Sequence, residues 1–182
     1  MPAYVGTIDK LLAIGTIGLQ IAVVVILLSL LFMRNRDNPI LIFFNKYGFY
    51  FGFIVAVSSM ALSLFYSEIV GYAACELCII QRYFIYPQVL IFGILIWWKK
   101  KKKLINLSGL VAFFGMFVSM YHIYIENGGA SDLACSTYVE GSITCAARYV
   151  FEFGYITVPV MALTAQLFIL LLILNHKYMA RT

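Results

Sequence analysis

Four cysteines are the residues of this sequence best suited to chemistry, and they fall into two pairs. Cys75 and Cys78 are separated by two residues, whereas Cys135 and Cys145 lie farther apart. A disulfide that closes over two residues adds little loop-closure stability, but it suits a pair that opens and closes repeatedly. The first pair therefore predicts thiol–disulfide exchange.

Other interpretations of the cysteines differ in strength. Incidental burial as small hydrophobic side chains would put most of them inside apolar segments, where none lies. A disulfide that merely braces a loop is as good an explanation as a reactive one for Cys135 and Cys145 taken alone. A zinc site normally needs two closely spaced pairs or nearby histidines, so we expect no metal site.

Arg82 adds a charge next to the first pair. It follows Cys78 by four residues, which on a helix is one turn further along the same face. Cys78 itself lies at the start of an apolar segment, where the N–H groups of a helix N-terminus stabilise a thiolate. An arginine just inside an apolar span is costly and by default marks function, although its long side chain can also reach the headgroups.

A dithiol at a membrane boundary needs an acceptor for two electrons, because exchange with other disulfides only redistributes oxidation. Quinones are two-electron acceptors that dissolve in lipid. Arg82 could bind a quinone carbonyl oxygen and stabilise the negative charge that develops there. We therefore expect a bound quinone, ubiquinone or menaquinone, beside Arg82.

The elements that position these residues are predicted to be membrane-spanning helices. The chain is 63% hydrophobic and only 12% charged, too apolar for a soluble fold of 182 residues. The first apolar segment has a basic end and no small-residue cleavage site, which predicts a retained helix rather than a signal peptide. Five segments are long enough to span a bilayer: 11–33, 47–66, 79–98, 104–125 and 156–174.

The distribution of basic residues predicts the orientation. With the lysine run at 99–103 in the cytoplasm, ten of the thirteen Lys and Arg residues lie inside, and only Lys10, Arg82 and Arg148 lie outside. The N-terminus is then outside and the C-terminus cytoplasmic. All four cysteines fall in two outer loops, 67–78 and 126–155. The lysine run is a connector between spans, so no nucleic-acid partner is expected.

Two motifs resemble those of a known family. The sequence CELCIIQR at 75–82, followed by Tyr86 and Pro87, resembles the signature of the DsbB/BdbC family of membrane disulfide-bond formation proteins. The sequence FGYITVP at 153–159 resembles the start of the last helix in that family. Together the similar regions cover residues 47–174.

The resemblance implies a fold and a place in the cell. It implies an all-α integral membrane protein with a four-helix transmembrane bundle in 39–182. The additional N-terminal transmembrane helix in 1–38 is a departure from the family, and its purpose is open. The family also implies a protein of the bacterial inner membrane that reoxidises an extracytoplasmic thioredoxin-fold thiol oxidase, a DsbA-like partner.

The resemblance further implies an order of electron transfer. Cys135 would be attacked by the reduced partner, and Cys145 would resolve the mixed disulfide and pass electrons to Cys75. Cys78 would then react with the quinone. His122 lies where the family has quinone-contacting residues, and a histidine bonded to the backbone at the interface is the alternative.

Two other functions are compatible with parts of the pattern. A vitamin K epoxide reductase-like thiol–quinone exchanger would carry its loop cysteines before the Cys-x-x-Cys sequence, whereas here they follow it. A non-enzymatic, disulfide-braced membrane subunit would have unreactive disulfides and would reduce no quinone.

Overall fold

The computed structural model describes residues 3–32, 38–72, 74–98, 101–129, 145–146 and 148–180. Within these residues the protein is all-α. A π-helical turn, Phe65–Ile69, prolongs the second helix. Each helix is long and apolar enough to cross a membrane, so this is a multi-pass membrane protein. The helices are α1 (Ala3–Leu31), α2 (Pro39–Leu64), α3 (Glu76–Trp97), α4 (Lys102–Glu126) and α5 (Val158–Ala180).

The five predicted spans are confirmed as helices, although their predicted limits were mostly too narrow. The largest differences are at the starts of two helices: α1 begins at Ala3 rather than residue 11 and includes Asp9 and Lys10, and α2 begins at Pro39 rather than residue 47. Charged residues ended the predicted span there, but helical hydrogen bonds continue past the hydrocarbon boundary. α2 begins at Pro39, because the Asn38 side chain accepts a hydrogen bond from the N–H of Ile40 (3.0 Å).

Helices α2 to α5 form the predicted four-helix bundle. Each helix packs against the next along the chain, so neighbouring helices are antiparallel, and α5 also packs against α2. The apolar core contains Phe49 of α2, Phe92 of α3, Ile105 of α4 and Ile169 of α5. α5 is the most enclosed helix, since it contacts each of the other four.

Close packing between α4 and α5 depends on a glycine. A Cβ atom at Gly115 would lie 2.6 Å from Nε2 of Gln166 and 3.0 Å from Cβ of Phe84. Helices in lipid associate mainly through such close packing, which small residues permit. The site described below lies one to two turns further along the same face of α4.

The additional helix α1 packs on the outside of the bundle, against α5 and α2. Its Val23 and Ile26 form one apolar cluster with Phe168 and Leu172 of α5. Gln20 extends the contact with polar bonds, because its amide donates to Thr164 (3.4 Å) and accepts from the Tyr155 hydroxyl (2.8 Å). α1 is therefore docked along the bundle.

The antiparallel arrangement brings the start of α3, the end of α4 and the start of α5 to one end of the bundle. Cys75 lies at this end, which is called the cysteine end below. Lys102 and Lys103 begin α4 and so lie at the opposite end. There, the Asn175 side chain donates to the carbonyl of Leu41 (3.0 Å).

Candidate active site

The Cys-x-x-Cys pair lies at the N-terminus of α3. Cys75 is the N-cap residue and Cys78 is in the first turn. Both are free thiols, and their sulfur atoms are 3.4 Å apart. Cys75 is buried, whereas Cys78 is partly exposed. The pair is thus close enough to close a disulfide with a small movement of either side chain.

His122 of α4 contacts the pair from the opposite side. Its Nε2 atom is 3.8 Å from the sulfur of Cys75, and its Nδ1 atom is 3.3 Å from the amide nitrogen of Gln81. The Ser119 hydroxyl donates to the carbonyl of Gly115 (3.0 Å), so it can only accept from Gln81 (3.4 Å). The Gln81 nitrogen therefore faces Ser119 and His122, where it donates to both.

This network fixes the tautomer of a neutral His122. Because Nδ1 accepts from Gln81, the ring proton is on Nε2, the atom that faces Cys75. Hydrogen bonds with Cys78 and His122 hold the pKa of the Cys75 thiol well below its usual range, although burial alone would raise that pKa. The stabilising donors thus converge on Cys75, and the reaction of Cys78 with an electron acceptor stays a prediction.

A cavity of about 150 Å³ adjoins the pair. All five helices contribute to its wall, with Leu12 of α1, Ser63 of α2, Arg82 of α3, His122 of α4 and Met161 of α5 among the lining residues. In another protein a cavity of about 150 Å³ binds a benzene ring. The space beside the cysteines therefore fits one six-membered ring.

Two hydrogen-bond donors in the cavity wall have no partner among the described residues. They are the Nε atom of Arg82 and the hydroxyl of Tyr86, and both atoms are buried. Another nitrogen of Arg82, Nη2, donates to the carbonyl of Ser63 (3.3 Å). A buried donor without an acceptor costs about 1–3 kcal/mol, so the wall is suited to a ligand with acceptor oxygens.

Cys145 belongs to the same end of the molecule. It is buried, disulfide-bonded, and part of one apolar cluster with Cys75, Leu77 and Ile125. It also lines the cavity. Cys135 lies within 130–144, outside the described residues, so its predicted role stays a prediction.

The segment that follows Cys145 is attached to the end of α4. Arg148 donates to the carbonyl of Glu126 (3.1 Å) and to the side chain of Asn127 (2.8 Å). The Glu126 carboxylate accepts from the hydroxyl of Thr157 just before α5 (2.7 Å). Between these contacts the chain reverses at Gly154, whose φ of 80° is easily adopted only without a side chain.

The Cys-x-x-Cys pair and His122 also bear on the expectation that no metal binds. Ligand atoms of Cys75, Cys78 and His122 lie within 4.8 Å of one another, which would suit a soft metal ion. Structural zinc sites use four protein ligands, and this set has three. The absence of a resident metal stays a prediction.

Sequence reasoning named Arg82 and His122 but gave no role to Gln81, Ser119 or Tyr86. A signal for the α4 residues was present, because Gly115, Ser119 and His122 recur at three- and four-residue spacing in an apolar segment. Polar residues that share one face of a spanning helix usually face the bundle interior. That pattern could have identified the α4 side of the network.

The chain is similar over most of its length to known proteins of one kind. The family model described as disulfide bond formation protein DsbB matches residues 45–175. A probable disulfide formation protein of Oceanobacillus iheyensis is 42% identical over 127 residues, which cover 65% of this chain and 81% of the relative. Disulfide bond formation protein C of Bacillus subtilis is 37% identical over 127 residues, covering 68% and 86%. No solved structure matches.

Proposed function

The chain belongs to the DsbB family of disulfide bond formation proteins, and from this premise and the site we propose that it is a thiol:quinone oxidoreductase. It reoxidises an extracytoplasmic thioredoxin-fold dithiol and passes the electrons to a membrane quinone. One observation carries the proposal. Cys145 and Cys75 share a buried cluster beside a ring-sized cavity, and two donors in the cavity wall have no acceptor within the described part of the chain.

The first step is exchange with the partner. The partner's dithiol attacks a disulfide between Cys135 and Cys145 at Cys135, and the partner leaves as a disulfide while both loop cysteines become thiols. Their electrons then pass to a disulfide between Cys75 and Cys78, with Cys145 attacking Cys75. The shared cluster of Cys145 and Cys75 supports this step. In each exchange one disulfide is formed and one is broken.

The combination of free and bonded cysteines corresponds to one stage of this cycle. Cys75 and Cys78 are thiols while Cys145 is disulfide-bonded, with Cys135 as the proposed partner. In the cycle this is the stage after exchange between the pairs and before the electrons leave. The low pKa of Cys75 supplies the thiolate that would form the next disulfide with Cys78 as two electrons pass from the pair to the acceptor.

The cavity fits a quinone on three counts: it has the volume of one ring, its wall is mainly apolar, and it contains two donors for carbonyl oxygens. A quinone there would take up the two electrons and two protons released when the dithiol closes, and would leave as quinol. Arg82 and Tyr86 bind and orient the ring through its oxygens. His122 lines the same cavity and its Nε2 faces the sulfur of Cys75, so it acts on Cys75 while its contact with a quinone stays a prediction.

The proposal includes a location and an orientation. The cysteine end faces the outside of the bacterial inner membrane, with the N-terminus outside and the C-terminus in the cytoplasm. Its support is that Lys102 and Lys103 lie at the end opposite to Cys75. Residues 39–182 form the redox bundle, and residues 1–38 carry the additional helix.

The test supplies purified protein with a reduced thioredoxin-fold dithiol and either ubiquinone or menaquinone, and follows quinol formation. One quinol is expected for each partner dithiol oxidised, and Ser at any of the four cysteines abolishes turnover. Cys135→Ser also prevents capture of the partner as a mixed disulfide, whereas Cys78→Ser leaves capture possible. Ala146→Ser, at an exposed position beside Cys145, is the matched control and retains turnover.

Two results would contradict the proposal. Normal turnover after Cys135→Ser or Cys145→Ser would mean that the order of electron transfer is wrong. A complete absence of quinol formation, with disulfides that do not exchange, would instead favour a disulfide-braced membrane subunit.

A further inference from the structure

Asp9 is an acidic residue on the additional helix α1 that the proposed cycle does not use. It is 9% exposed, and its carboxylate accepts a hydrogen bond from the hydroxyl of Tyr66. A carboxylate buried in a membrane-spanning helix is costly and by default marks a functional position. Tyr66 lies in the π-helical turn that follows α2, and such turns are frequent at functional sites.

Tyr66 is the first ring of a stack that reaches both cysteine-bearing segments. It stacks on Tyr72 with ring centroids 5.8 Å apart and planes at 6°, and Tyr72 stacks on Tyr149 at 4.5 Å and 18°. Tyr72 precedes Cys75 by three residues, and Tyr149 follows Cys145 by four. These three rings are called the tyrosine stack below. Asp9 bonds to one end of it, and the Cys145 segment is at the other.

The segment that follows Cys145 is attached to the bundle in two places, and the tyrosine stack is one of them. Arg148 ties the segment to the end of α4 through Glu126 and Asn127. The tyrosine stack ties the neighbouring residue to the segment before α3. Two attachments on different sides fix the position of Cys145 relative to Cys75 better than one can. Disulfide exchange requires that accuracy, because a displacement of about 1 Å can slow a reaction about a hundredfold.

We propose that Asp9 of α1 is a positioning residue that holds the tyrosine stack, and through it Cys145, in register with Cys75 for exchange between the two pairs. The inference rests on the proposed function and gives the additional helix a role in it. Asp9 itself does not line the cavity, although all three rings of the stack do. Its expected effect is on exchange between the sulfur pairs, and quinone reduction is therefore measured separately.

The test separates these two steps with two backgrounds. In a Cys78→Ser, Cys135→Ser background, the rate of disulfide formation between Cys75 and Cys145 is measured with diamide, which accepts the two electrons and two protons. In a Cys135→Ser, Cys145→Ser background, quinol formation is measured with a small dithiol that reduces the Cys75–Cys78 disulfide directly.

Asp9→Leu is expected to slow Cys75–Cys145 disulfide formation about tenfold or more. It should leave quinol formation from the small dithiol within about twofold. Asp9→Asn, which keeps an oxygen that accepts from Tyr66, restores most of the crosslinking rate. Should Asp9→Leu disturb folding, Tyr149→Leu interrupts the stack without touching α1 and is expected to slow crosslinking similarly, while Tyr149→Phe restores it.

Three outcomes would overturn the inference. The first is an unchanged crosslinking rate in both Asp9→Leu and Tyr149→Leu. The second is that Asp9→Leu slows crosslinking and quinol formation equally. The third is that Asp9→Asn does not restore the crosslinking rate. Failure of the proposed function itself would give a distinct result, observed in the protein that keeps Asp9. If Cys75 and Cys145 do not crosslink in the protein with Asp9 intact, both the relay and the role of Asp9 are refuted.

Discussion

The substitution Tyr86→Phe separates a ligand-binding role from a structural one. The Tyr86 hydroxyl is buried in the cavity wall and has no partner among the described residues. Its removal therefore costs no hydrogen bond that the protein makes in the described structure. If the hydroxyl donates to a quinone oxygen, the loss falls on quinone binding alone.

The magnitudes follow from the state of that hydroxyl. A hydrogen bond between neutral groups contributes about 0.5–1.5 kcal/mol, so the KM for quinone should rise about 2- to 13-fold. Removal of a buried hydroxyl that has no partner can increase the free energy of unfolding by up to about 1–3 kcal/mol. The free energy of unfolding without quinone should therefore stay the same or increase. Affinity and stability are thus expected to change in opposite directions.

The assay combines quinone titration in steady-state turnover with thermal unfolding in detergent. Tyr83→Phe is the matched control, because Tyr83 is on the same helix, is 73% exposed and does not line the cavity. It should change neither the KM nor the unfolding temperature. A Tyr86→Phe protein that is less stable, with an unchanged KM for quinone, would refute the reasoning, because the hydroxyl would then have a structural partner.

Two further predictions follow from the network and the packing. Above its lowered pKa the reduced Cys75 stays a thiolate, so its ultraviolet thiolate absorbance should disappear on acidification at a midpoint well below the ~8.5 of a free thiol. His122→Ala should raise that midpoint because one donor is lost; an unchanged midpoint would contradict the assigned contact. Gly115→Ala should destabilise the protein by about 1–3 kcal/mol, because the new Cβ atom would lie 2.6 Å from Gln166. Gly15→Ala on α1, with nothing within 4 Å, should instead stabilise it by about 0.5–1 kcal/mol; thermal unfolding in which both variants behave alike would contradict the packing.

Much of the fold could be predicted because lipid imposes strong rules on sequence. A spanning helix must satisfy its backbone polar groups internally and present about twenty apolar residues, which made all five helices recognisable. The first and last residues of the helices were harder to predict, since α1 includes the charged residues Asp9 and Lys10 near its start. Apolar composition indicates where a chain meets hydrocarbon, but not where its hydrogen bonding ends.

The chemical site was only partly predictable. The spacing of Cys75 and Cys78 was sufficient to predict a reactive pair, since a Cys-x-x-Cys sequence brings its two sulfur atoms together without any tertiary contact. The tautomer of His122 depends on Gln81 and Ser119, which lie on different helices and 38 residues apart in sequence. The bond between Asp9 and Tyr66 spans 57 residues. Such contacts depend on how the helices pack, which no local pattern contains.

The proposed electron transfer requires the two pairs to meet through Cys75, and a comparison of Cys75 with Cys78 as the sulfur that bonds to Cys145 tests this directly. Two backgrounds that each leave two cysteines are oxidised under the same conditions, and disulfide-linked peptides are mapped by mass spectrometry. In the Cys78→Ser, Cys135→Ser protein, Cys75 and Cys145 are expected to form a disulfide rapidly. In the Cys75→Ser, Cys135→Ser protein, Cys78 and Cys145 are expected to do so slowly. A faster bond from Cys78, or no bond in either protein, would contradict the relay.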